Sequence, residues 1–226
     1  VITMSDKKFY YSNPEQFDKD ISYLLDNAYS EVSKFKNFFE KNFAESGESS
    51  FSPTMSFFSS TENFVGVVTC RPAQDKEDLY QALAEMLYLP MSINSELFVI
   101  ATDITISSCS DKDGALISDV TDALMISFVR PVGCAIYILP YKIQDNNVVW
   151  YDHASYFNKI VTDVDANTGN EYAGDLVELF YTFSSSDNSG AFSPEEVLHY
   201  FDQNGFNHKI FNPKALNDKY HLIPFA

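Results

Sequence analysis

Arginine is nearly absent from this chain. Only Arg71 and Arg130 occur among fifteen basic residues, so no arginine cluster can grip phosphate through paired N–H groups. Gly-rich phosphate loops are missing too: neither GxGxxG nor GxxxxGK followed by Ser or Thr is present. The four histidines, His153, His199, His208 and His221, show no HExxH spacing, and no CxxC accompanies them, so there is no zinc signature. Cysteine is scarce. Cys70, Cys109 and Cys134 are odd in number and widely spaced, which argues against a disulfide framework and for free thiols in a reducing cytoplasm. No apolar run approaches the length of a membrane-spanning helix, and Val1–Lys8 hold no stretch of signal-peptide length. No repeat with a period of 20–50 residues is visible, which sets solenoids and propellers aside. The expectation is a soluble cytoplasmic chain.

What the chain has in excess is acid. Its formal net charge is −17, yet 45% hydrophobic and 15% aromatic content suffices for a substantial core, so it is not a disordered acidic tail. Between Lys159 and Lys209 there is no lysine or arginine. Asp163, Asp165, Glu171, Asp175, Glu178, Asp187, Glu195, Glu196 and Asp202 in that interval supply −9 of the −17. Such a field repels nucleic acid and anionic lipid and attracts cations or a basic protein. The composition therefore predicts an acidic interaction or regulatory protein without catalytic activity. Its partner would be a basic protein meeting Asp163–Asp202, with neither nucleic acid nor membrane involved. A narrower variant is a DNA mimic whose carboxylates stand in for phosphates.

Periodicity predicts an α+β fold: a mainly antiparallel sheet of about five strands, a long N-terminal helix and a helical C-terminal section. Asn13-Pro14-Glu15-Gln16 reads as a helix start. From there Phe17, Ile21, Leu24, Ala28, Val32, Phe35 and Phe39 recur at steps of three and four, giving a helix of about 27 residues. Residues 44–60 read as a loop with room for a short edge strand. Strands are expected at 64–70, 97–107, 123–129, 134–139 and 148–151, with Asp145-Asn146-Asn147 turning the chain into the last of them. Asp75–Leu87 reads as a second helix ended by Pro90, and Ser193-Pro194-Glu195-Glu196 opens a third that Asn204-Gly205 closes. The organisation expected is an α+β core over 1–155 with an acidic, mainly helical section, 156–226, packed on it, or a single domain.

Three constellations could carry chemistry. The first is SSDNSGAFSPEE, residues 185–196, which resembles an EF-hand calcium loop over about 30 residues with its flanks. Gly190 falls at the sharp turn. The resemblance implies calcium ligands at Ser185, Asp187, Ser189, Ala191 (through its carbonyl), Ser193 (through water) and Glu196 (bidentate). The sequence departs from the family at Ser185, where Asp is usual, and no second loop of similar quality is present. The same residues can be read without a metal: Asp-Asn-Ser-Gly is a turn, and Ser-Pro-Glu-Glu is a capping box.

The second is a cysteine-dependent hydrolase. Cys70, at the end of a strand, would be the nucleophile, His153 the base, and Asp152 or Asp103 the group orienting it. A strand cysteine and a surface histidine are the plain alternative. The third is a pair of strand ends, Arg71-Pro72 and Arg130-Pro131. They would flank an anion if their strands are neighbours; otherwise each arginine reaches into solvent.

Overall fold

A computed structural model describes residues 14–47, 51–60, 62–106, 109–110, 116–118, 121–130, 133–151, 158–161 and 192–218. In chain order these form α1 (Pro14–Ser46), β1 (Thr54–Ser60), β2 (Asn63–Thr69), α2 (Lys76–Met86), α3 (Tyr88–Ser92) and β3 (Leu97–Ile106). Next come β4 (Cys109–Ser110), β5 (Leu116–Ser118), β6 (Thr121–Arg130), β7 (Gly133–Gln144), β8 (Asn147–Trp150) and β9 (Asn158–Val161). The last elements are α4 (Pro194–Asn204), β10 (Asn207–Ile210) and α5 (Pro213–Asp218). The fold is α+β, built on an open antiparallel sheet of order β10-β2-β1-β3-β6-β7-β8; β9 pairs with the opposite end of β7 from β8. The chain divides into two compact units, each discontinuous in sequence. The first comprises Val1–Phe51, Ala101–Phe128 and Gly133–Tyr172, and the second Ser52–Ile100, Val129–Val132 and Ala173–Ala226.

In the first unit, α1 opens on Pro14, whose missing N–H would have no acceptor inside the helix anyway. It runs 33 residues, longer than the periodicity predicted, because Phe43 extends the stripe of Phe35 and Phe39 by another turn. Gly47, at φ 67°, then stops it, its N–H returning to Phe43 O at 2.8 Å. Phe39 lies on Tyr141 of β7 and Trp150 of β8, with ring centroids 4.8 and 5.6 Å apart. The β7–β8 hairpin turns at Asp145-Asn146, as expected. Both residues have positive φ, 50° and 64°, which suits the twist of a two-residue hairpin loop and residue types that tolerate it.

In the second unit, Thr54–Ser60 is not an edge strand. It lies in the interior of the sheet, antiparallel to β2, with Met55 and Phe57 fully buried. Its serines read as loop in sequence, yet Ser56 and Ser59 are small enough to be enclosed in the sheet. The α2 helix starts at Asp75, whose carboxylate accepts from Asp78 N at 2.9 Å. Pro90 does not end a helix. It sits inside the short α3, within a first turn that asks no N–H of it. The C-terminal section is not only helical, because β10 adds a strand antiparallel to β2. Gly66 permits that approach: a Cβ there would stand 2.6 Å from Lys209 O of β10.

Candidate functional site

The acidic segment is described from residue 192 onward, where α4 forms its last part. Ser193 Oγ accepts from Glu196 N at 3.2 Å, and the Glu196 carboxylate accepts from Ser193 N at 2.8 Å. This reciprocal capping box, with Pro194 at the first helical position, starts the helix. The bonds from Ser193 hold the Glu196 carboxyl below its ordinary range. Val197 and Phe201 face inward, whereas Glu195, Glu196, His199, Asp202 and Gln203 face solvent. Phe192, 51% exposed, lies against Tyr88 beside the two glutamates. Asp202 Oδ1 is 3.0 Å from His208 Nε2 on β10. Of the six residues the EF-hand resemblance names, Ser193 and Glu196 fall here. Ser185, Asp187, Ser189 and Ala191 lie outside the described residues, as do Glu171, Asp175 and Glu178.

Cys70 directly follows β2, 2% exposed, its N–H bonded to Pro53 O at 2.8 Å. Burial, only partly offset by the neighbouring Arg71 charge, pushes its thiol up to about 12, so it is protonated at neutral pH. His153 and Asp152 lie outside the described residues. Asp103 is in β3, in the other unit from Cys70.

Arg71 plays neither role expected of it. Its Nη2 lies 2.7 Å from Asp78 Oδ1 and its Nε 3.4 Å from Glu85 Oε2, both on α2. Gln81 donates to the other Glu85 oxygen at 3.0 Å. The Arg71 guanidinium also faces the Phe206 ring at 5.9 Å. Burial raises the Tyr200 phenol, and Glu85 beside it adds to that. Glu85 is a buried carboxylate, 6% exposed, and it is paired with Arg71. The guanidinium is thus occupied from within the fold. Arg71 beside a helix carrying Asp78 and Glu85 was visible in the sequence, but their convergence was not.

A half-buried carboxylate lies in the first unit. Asp103 on β3 accepts from Tyr141 Oη on β7 at 3.0 Å. Burial first, and repulsion from Asp122 second, raise Asp103 to about 6 against the pull of the Tyr141 bond. The same surroundings raise the Tyr141 phenol. A single Asp in the apolar run of β3 was the signal in the sequence. Among the described residues, no group of three or more His, Cys, Asp or Glu side chains could hold a metal ion, and no helix is long and apolar enough to cross a membrane.

Comparisons of the chain with protein-family models, curated proteins and solved structures found no match in any of the three.

Proposed function

We propose that the chain is a non-catalytic interaction or regulatory protein whose acidic segment, Asp163–Asp202, receives a basic protein partner. The observation that carries this reading is the charge distribution: nine carboxylates and no lysine or arginine between Lys159 and Lys209. Two features of the described end of the segment support it. Glu195, Glu196 and Asp202 face solvent and, among the described residues, form no ion pair with lysine or arginine, and Phe192 stands exposed beside them. Arg71 of the second unit is already matched by Asp78 and Glu85, so it does not reduce that field. An exposed aromatic next to carboxylates suits a lysine- or arginine-rich surface, which can pair with the acids and lay a cation on the ring. The cysteine-hydrolase alternative draws no support from Cys70, buried and protonated.

The test is titration of a labelled lysine-rich peptide at low ionic strength and again at about 0.15 M, where exposed charges are screened beyond about 8 Å. Salt-sensitive association is expected. Reversal of Glu171, Asp175 and Glu178 to lysine should weaken it far more than reversal of Glu45, Glu62 and Glu77, which changes the net charge equally. Equal weakening by the two sets, or no association at low salt, would overturn the reading.

A further inference from the structure

On the reading of Asp163–Asp202 as the docking face for a basic protein, we propose that the partner's anchor there is an arginine side chain whose guanidinium lies on the open face of Phe192 beside Glu195. Elsewhere this chain supplies cations to its own rings. Lys209 stands over Phe211 at 4.8 Å, Lys76 over Tyr80 at 5.4 Å and Arg71 over Phe206 at 5.9 Å. Phe192 is about as exposed as Phe211, 51% against 54%, yet among the described residues no lysine or arginine stands over it. Its place in the chain accounts for the difference, because the interval between Lys159 and Lys209 holds neither residue type. A second molecule can supply what the sequence around this ring leaves out.

The ring is held ready for such a contact. Phe192 rests on Tyr88 of α3, with centroids 5.7 Å apart, and Tyr88 meets Tyr200 of α4 at 6.4 Å. Tyr88 and Tyr200 are half-buried, and Tyr200 stands beside Glu85, which Arg71 and Gln81 hold. Phe192 thus ends a series of rings whose inner members are packed, so little side-chain freedom is lost when a planar group is laid on it. Glu195 and Glu196 follow in the first turn of α4 and face solvent. Glu196 is engaged by Ser193, which leaves Glu195 as the carboxylate for an incoming cation. The positive end of the helix, roughly half a charge, opposes a cation here, and the two carboxylates outweigh it. Arginine fits better than lysine. Its planar guanidinium stacks on a ring, directs paired N–H groups at a carboxylate and gives up water more readily than an ammonium. Arg71 does the same inside the fold, between Phe206 and the carboxylates of Asp78 and Glu85.

The experiment is titration of the whole chain with labelled hexa-arginine and hexalysine peptides at low ionic strength. It compares the wild type with Phe192→Leu, Phe192→Trp and Phe211→Leu. These chains share one net charge, so the general attraction of acid for base cancels in the comparison. The wild type should bind the arginine peptide more tightly than the lysine peptide. Phe192→Leu, which keeps an apolar side chain on Tyr88, should reduce that preference about two- to fivefold. Phe192→Trp, with the stronger ring, should keep or raise it. Phe211→Leu, at a ring that already carries Lys209, should leave it unchanged. A preference that survives intact in Phe192→Leu, or that falls equally in Phe211→Leu, would overturn the arginine anchor while the acidic docking face stood. No association of either peptide with the wild type would overturn both.

Discussion

Trp150 donates its indole N–H to Glu40 Oε1 at 2.5 Å, joining the β7–β8 hairpin to α1. Lys36, one turn earlier on the helix, stands over the same ring at 4.9 Å. The helix is thus held by a buried phenylalanine, Phe39, and by a polar grip beside it. Phe39→Ala should destabilise the chain by about 3–5 kcal/mol, since it empties a fully enclosed aromatic site. Glu40→Ala removes one solvent-facing bond and should remove about 1 kcal/mol. Both changes should shift Trp150 emission to the red, which fluorescence reads without added probes. Unchanged emission in both variants would mean that α1 does not shield the ring.

Arg71 is the second point of leverage. Its removal in Arg71→Ala strands Glu85 in the interior, and the expected loss is about 2–3 kcal/mol, below the full value for a buried pair because the arginine retains some solvent contact. Arg71→Lys should recover little, since an ammonium cannot present two differently directed donors to Asp78 and Glu85. Denaturant midpoints decide the matter. Asp78 adds a pH dependence. The Arg71 bond lowers its pKa, so its contribution is present at neutral pH and is lost as pH falls through that depressed value.

Gly66 has no space for a side chain. In Gly66→Ala the new Cβ would meet backbone, Lys209 O, at 2.6 Å, and Phe57 at 3.2 Å from the other neighbouring strand. Backbone cannot rotate away, so β10 must separate from β2 or the sheet must shift, at about 1–3 kcal/mol. Amide exchange at Lys209 and Ile210 should accelerate well beyond that of β1. Equal exchange in the variant and the wild type would show that the ladder absorbs the methyl group.

Glu196 has a role in α4 that needs no ion. Ser193→Ala and Glu196→Ala should each lower the melting temperature through loss of the capping box, about 1 kcal/mol apiece. The Glu196 loss should be the same in calcium, magnesium and EDTA. A calcium-specific rise in the melting temperature of the wild type that Glu196→Ala abolishes would instead make residues 185–196 an ion-binding loop, because a ligand of the folded state must stabilise it.

Cys70 should be inert. In a chain carrying Cys109→Ser and Cys134→Ser, a thiol reagent should label it only as fast as the protein opens, since the folded thiol is buried and protonated. Rapid labelling under native conditions would reveal an accessible thiolate and revive the hydrolase reading.

Local order was legible in the sequence wherever one segment satisfies itself. The Pro14 start of α1, the Ser193 box, the Gly205 stop at φ 81° and the Asp145-Asn146 turn all use interactions within a few residues, and each carries its own signature. The helix outruns the stripe that ends at Phe39, because Phe43 continues its buried face and only Gly47 stops it. The interior place of β1 and the existence of β10 could not be read, because small serines and a four-residue polar strand have no periodicity strong enough to announce burial or pairing. Charge, too, was determined by the sequence: the basic-free interval needs no coordinates. Which acid meets which partner was decided only by tertiary structure. Asp103 and Tyr141 lie 38 residues apart and Arg71 and Glu85 lie 14, and only strand register and helix placement bring each pair within bonding distance and remove the water that would otherwise make the contacts inconsequential.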